Sequence, residues 1–127
     1  MPPPDKTPAI IHEIRILYAE LYRIGSKLSK RDKLGIHALL EEKCIDALDL
    51  ALQAAFQQHT LKCPTLESLR IKLEVLKHLI RSEHELVLID EKTYLRLSEQ
   101  VIEISKGANR WIAYLANPHT QKGVSRG

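Results

Sequence analysis

Basic side chains recur at spacings that let them act together on one kind of ligand. Arg70, Lys77 and Arg81 fall on a single helical face, and Arg96, Lys106 and Arg110 share a second stripe with Lys92. Lys27, Lys30, Arg31 and Lys33 crowd a stretch in which Asp32 is the one acid. Cations so arranged can hold phosphates. Such binding is indifferent to base sequence and steeply salt-dependent. No aromatic residues interleave as stacking platforms, so base reading is not implied. The same pattern has a second reading. Glu74, Glu99 and Glu103 stand between the cations and can pair with them, at about 0.2–0.5 kcal/mol per pair, on a merely solvated face. The net charge of +3 does not choose between the two.

Bond-making chemistry has little to stand on. The six histidines, His12, His37, His59, His78, His84 and His119, include no helical i, i+4 pair and are expected at surface or boundary positions. No glutamate stands three residues before a histidine, as dimetal helical bundles require. Gly25, Gly35 and Gly107 are isolated, which leaves no phosphate or dinucleotide loop. Neither a cofactor site nor a metal site is expected. One arrangement resembles an enzyme. Arg31 followed by His37 is similar to the arginine-then-histidine motif of a superfamily of helical ribonucleases. That resemblance implies that the pair activates and stabilises a ribose-phosphate centre.

The elements that must carry these residues are helices. Apolar content of 44% with 5% aromatic, and only five glycines and six prolines in 127 residues, predict one all-α domain. The clearest segment is 90–117, where Tyr94, Leu97, Val101, Ile104, Ala108, Trp111 and Leu115 step by three and four. Asp90 is its expected cap. The first helix carries Ile10, Ile14, Leu17, Leu21, Ile24 and Leu28 at the same rhythm, with Thr7 as cap and Pro8 at the first helical position. Ser29 or Asp32 should cap the second. Its apolar set (Leu40, Cys44, Ile45, Ala47, Leu48, Ala51, Leu52, Ala55, Phe56) is wider than one seam needs. Either that helix is the most buried, or its flank packs on another subunit. A loop over 59–64 and a cap at Thr65 precede the third, which carries Leu66, Leu69, Leu73, Leu76, Ile80 and Val87 on its apolar stripe. Helices are therefore expected over about 8–27, 30–58, 65–86 and 91–116, between a leader at 1–7 and a basic tail at 117–127. Short connections favour an antiparallel up-down-up-down four-helix bundle.

No apolar run reaches the roughly 18 residues of a membrane span. The start of the chain lacks the layout of a signal peptide. Cys44 and Cys63 are too few for a disulfide framework. A cytoplasmic protein without a membrane partner is the expectation.

Three stretches carry a further resemblance: SKRDKLGI before the second helix, LESLRIKLEVLK in the third, and YLRLSEQVIEISKGANRWIAYL in the last. Together they resemble the Avd proteins (accessory variability determinants) of diversity-generating retroelements. More distantly they are similar to four-helix-bundle proteins encoded in intervening sequences of bacterial ribosomal RNA genes. The first resemblance implies a non-catalytic accessory bundle, assembled as a homopentameric ring. Such a protein binds a reverse transcriptase and RNA or DNA to support mutagenic cDNA synthesis. The second implies an interaction role without a polymerase partner.

Overall fold

The computed structural model describes residues 8–116. They form α1 (Ala9–Gly25), α2 (Lys30–Leu34), α3 (Ile36–Phe56), α4 (His59–Glu85) and α5 (Glu91–Ala116), four long helices and one short one, with no strand among the described residues. Both α1 and α4 pack against α3 and α5, and α2 rests on α3. The expected leader and tail, and Thr7 as a cap, lie outside the described residues. Pro8 itself occupies the N-cap position of α1 and accepts a hydrogen bond from the Ile11 amide.

One apolar core joins the four long helices. It takes Ile10, Ile14, Leu17 and Leu21 from α1, and Leu40, Cys44, Ala47 and Ala51 from α3. Leu66, Leu69, Leu73, Leu76 and Ile80 come from α4, and Leu97, Val101, Ile104, Ala108 and Leu115 from α5. The three-and-four stripe of α5 is thus buried as expected, with Tyr94 and Trp111 half-buried at its margins. Asp90 caps that helix by accepting from the Thr93 amide at 2.8 Å. Hydrogen bonds from Thr93 hold the Asp90 carboxyl below the usual carboxylate range. Between α1 and α3 the Cys44 thiol reaches the Ile14 carbonyl at 3.7 Å, and burial pushes that thiol up to about 12.

Beyond the start of α1, the helices depart from expectation at three places. The second expected helix is broken at Gly35 into α2 and α3. A Cβ at Gly35 would stand 2.8 Å from the Arg31 carbonyl oxygen, so a side chain there would force the two pieces apart. Ser29 does cap α2, accepting from the Asp32 amide and donating to its carboxylate.

The second departure is α4, which begins at His59 and runs through Pro64, so the expected 59–64 loop is helix and Thr65 is not its cap. Proline costs a helix one amide donor. Here the loss falls near the start of α4, where the carbonyl left without a donor belongs to Thr60, which is exposed. Thr65 turns its hydroxyl back to the Leu61 carbonyl and the Gln57 side chain instead. Lys62 fixes the early start. Its side chain is buried, and its Nζ donates to the Ala54 and Ala55 carbonyls that end α3. A cation is thereby placed at a helix C-terminus. The Trp111 ring lies 6.0 Å from the same nitrogen.

The third departure is Val87, expected in the core stripe of the third helix. It follows the end of α4 with φ 60° and is 85% exposed. The Val87 amide donates to the His84 carbonyl and the Leu88 amide to the Glu83 carbonyl. These are the two bonds of a Schellman ending, with valine where glycine is usual. Glu83 takes the buried position instead.

Candidate nucleic-acid interface

All ten basic candidates are exposed: Lys27, Lys30, Arg31, Lys33, Arg70, Lys77, Arg81, Arg96, Lys106 and Arg110. They divide into two groups by their partners. Arg70 meets Glu67 at 2.8 Å, Lys77 meets Glu74 at 3.7 Å, Arg81 meets Glu85 at 3.4 Å and Lys106 meets Glu103 at 3.5 Å. Arg96 crosses to Glu20 of α1 at 3.0 Å. Lys27, Lys30, Arg31, Lys33 and Arg110 form no ion pair among the described residues.

Three of the candidates converge. An open groove between α4 and α5 is lined by Arg70, Ile71 and Lys77 on one wall and Ile102, Ser105, Lys106 and Asn109 on the other, with Glu67 and Glu74 along its edge. Helical spacing puts Arg70 and Lys77 two turns apart on α4, and Lys106 faces them because α5 packs beside α4. The expected α5 stripe does not act as one surface. Arg96 lies instead in the α1–α5 groove with Glu13, Glu99 and Glu103, a surface with more carboxylates than cations. The α4–α5 groove therefore holds two guanidinium or amine groups from one helix, one from the next, and the polar side chains of Ser105 and Asn109. That set can bind the phosphates of a strand lying along the groove. The carboxylates of Glu67, Glu74 and Glu103 are exposed, so a phosphate displaces pairs worth only about 0.2–0.5 kcal/mol each.

Arg31 and His37 are not presented together. Arg31 is exposed on α2, whereas His37 is fully buried at the start of α3, against the expectation of a surface or boundary histidine. Its Nδ1 lies 2.7 Å from Glu83 Oε2, and its Nε2 meets the Leu21 carbonyl. No ring nitrogen remains to face a substrate. With a carboxylate on one nitrogen and a carbonyl on the other, both nitrogens donate when the ring is an imidazolium. Burial by itself lowers the affinity of His37 for its proton. The hydrogen bonds to Glu83 and Leu21, and the charges of Glu83 and Glu41, outweigh that and leave its pKa raised. The fit needs Gly25, where a Cβ would stand 2.9 Å from the ring carbon Cδ2. Glu83 Oε1 is buried and accepts nothing among the described residues.

The sequence places each member on a core face without pairing them. His37 precedes Leu40 and Cys44 by three and seven, and Glu83 follows Leu76 and Ile80 by seven and three, so both sit on core faces.

No group of three or more potential metal ligands occurs among the described residues, and none of their helices is long and apolar enough to cross a membrane. Comparison with protein-family models, with curated proteins and with solved structures found no match.

Proposed function

We propose that this chain is a non-catalytic nucleic-acid-binding accessory protein of the kind that serves a diversity-generating retroelement. It binds the phosphate backbone of RNA or DNA and a reverse transcriptase. The observation that carries the nucleic-acid half is the α4–α5 groove, where Arg70, Lys77 and Lys106 line one channel beside Ser105 and Asn109. The resemblance of the α5 stretch, YLRLSEQVIEISKGANRWIAYL, carries the retroelement half.

An antiparallel up-down-up-down bundle is part of the same reading. Contacts between opposite ends of neighbouring helices support it: His37 near the start of α3 with Glu83 near the end of α4, and Arg96 early in α5 with Glu20 late in α1. A ring of copies is supported by the flank of α3, where Ile45, Leu52 and Phe56 are exposed at 50%, 38% and 78%. These are the residues that made the apolar set of that helix too wide for one seam.

The test is fluorescence anisotropy of a labelled single-stranded RNA across a salt series. The triple variant Arg70→Gln/Lys77→Gln/Lys106→Gln should weaken binding of unrelated sequences alike. It should also flatten the slope of log K against log salt by about 2, at roughly 0.7 for each phosphate no longer neutralised. Unchanged affinity and slope in the triple variant would remove the groove as the interface.

A further inference from the structure

One end of the bundle carries a second surface, of different chemistry from the groove. Lys27, Lys30, Arg31 and Lys33 are exposed there, with no ion pair among the described residues. With them are large apolar side chains in solvent: Tyr22 and Leu34, each 65% exposed, Leu86 at 60% and Val87 at 85%. His37 shows that these segments share an end. It lies just after α2 and joins the Leu21 carbonyl, near the end of α1, to Glu83, near the end of α4.

The backbone at Val87 is an independent observation. A β-branched residue at φ 60° is strained relative to the right-handed region. The Schellman ending would form more readily with glycine. The Val87 side chain recovers nothing by packing inside the chain, because it stands in solvent. The Schellman hydrogen bonds hold this backbone, but no side-chain packing offsets the strain, which leaves the valine side chain free for an external contact.

We propose that this end docks an acidic, amphipathic segment of a partner protein, with carboxylates on Lys27, Lys30, Arg31 and Lys33 and apolar side chains on Leu34, Leu86 and Val87. Apolar anchors beside a charged rim are the usual anatomy of a protein interface. A nucleic-acid strand fits less well, since bases stack on rings and three of the four apolar groups are aliphatic. An anionic bilayer fits less well too, because its continuous negative plane would meet Asp90 and Glu91, exposed where α5 begins a few residues after Val87. A peptide can set its carboxylates opposite the cations alone. The docking site does not rest on the phosphate reading of the α4–α5 groove.

The experiment titrates the isotopically labelled full chain with a synthetic amphipathic peptide of glutamate and leucine, read by amide chemical shifts. Shifts gathered over residues 27–34 and 84–91 are expected. Val87→Gly combined with Leu34→Ser should weaken the peptide by about tenfold or more, the loss of one or two apolar anchors. Val87→Gly alone should raise the melting temperature while it lowers affinity, so a lost fold cannot account for the lost binding. The groove triple variant should bind the peptide as the parent chain does. Equal binding of a polyglutamate peptide without leucines would overturn the proposal. So would displacement of the peptide by phosphatidylserine vesicles or by single-stranded RNA at comparable concentration.

Discussion

Glu83→Ala should cost the fold about 3–5 kcal/mol, the usual penalty for removing one partner of a buried ion pair. In a domain of this size that lowers the melting temperature by roughly 10–20 °C. His37 would keep the Leu21 carbonyl as its partner but face a cavity where the carboxylate was, with no side chain to take the proton on Nδ1. Glu41 does not replace Glu83, because it stands 3.9 Å from the other nitrogen. Replacing both members by leucine should return most of the loss, since an apolar pair of similar volume needs no compensating charge. A double variant as unstable as Glu83→Ala would show that the penalty was not an orphaned charge.

The same pair sets a direction with pH. The folded pKa of His37 lies above its ordinary value of about 6.5. Its contribution is therefore fully present below that value and is lost as pH rises through the folded pKa. Urea midpoints of the parent chain should fall on the alkaline side. In Glu83→Ala burial dominates the ring, and that alkaline loss should shrink or vanish.

Lys62→Met should cost about 2–3 kcal/mol, read as a lower urea midpoint at unchanged slope. Methionine keeps most of the apolar stem but leaves the Ala54 and Ala55 carbonyls without their donor. An unsatisfied buried acceptor costs about 1–3 kcal/mol, and loss of a cation at a helix C-terminus adds a few tenths or more. Burial lowers the pKa of Lys62, so part of the gain from deleting the amine is relief of its desolvation. That offset keeps the expected loss below the sum of the two carbonyls. A midpoint equal to the parent's would mean that solvent reaches the end of α3.

Periodicity exposes the core and hides the places where polar groups enter it. The α5 stripe was legible because seven apolar residues repeat with one helical rhythm over its whole length. Its cap at Asp90 was legible because a short acid before a threonine at the third position has one common use. The start of α4 was not, since Pro64 is a local signal for a break. What overrides it is the amine of Lys62 on two carbonyls of another helix. His37 was missed for a similar reason. Its partner lies 46 residues away, and a histidine on an apolar face declares nothing until that partner is placed.

At the candidate interface Arg70 and Lys77 line one wall, while Arg81, read onto the same face, does not line the groove. The sorting of the α5 cations was hidden. Arg96 and Lys106 are ten residues apart, which turns them about 80° from each other around the helix. Only the positions of α1 and α4 decide that one belongs to an acidic groove and the other to a basic one.

The thiol of Cys44 carries a consequence for kinetics. It sits at the α1–α3 seam against the Ile14 carbonyl, pushed up to about 12, so almost none of it is thiolate near neutral pH. Cys63 is partly open to solvent. Alkylation should therefore proceed in two phases, the first at Cys63. The second should be governed by how often α1 lifts from α3, which makes Cys44 a native clock for that seam.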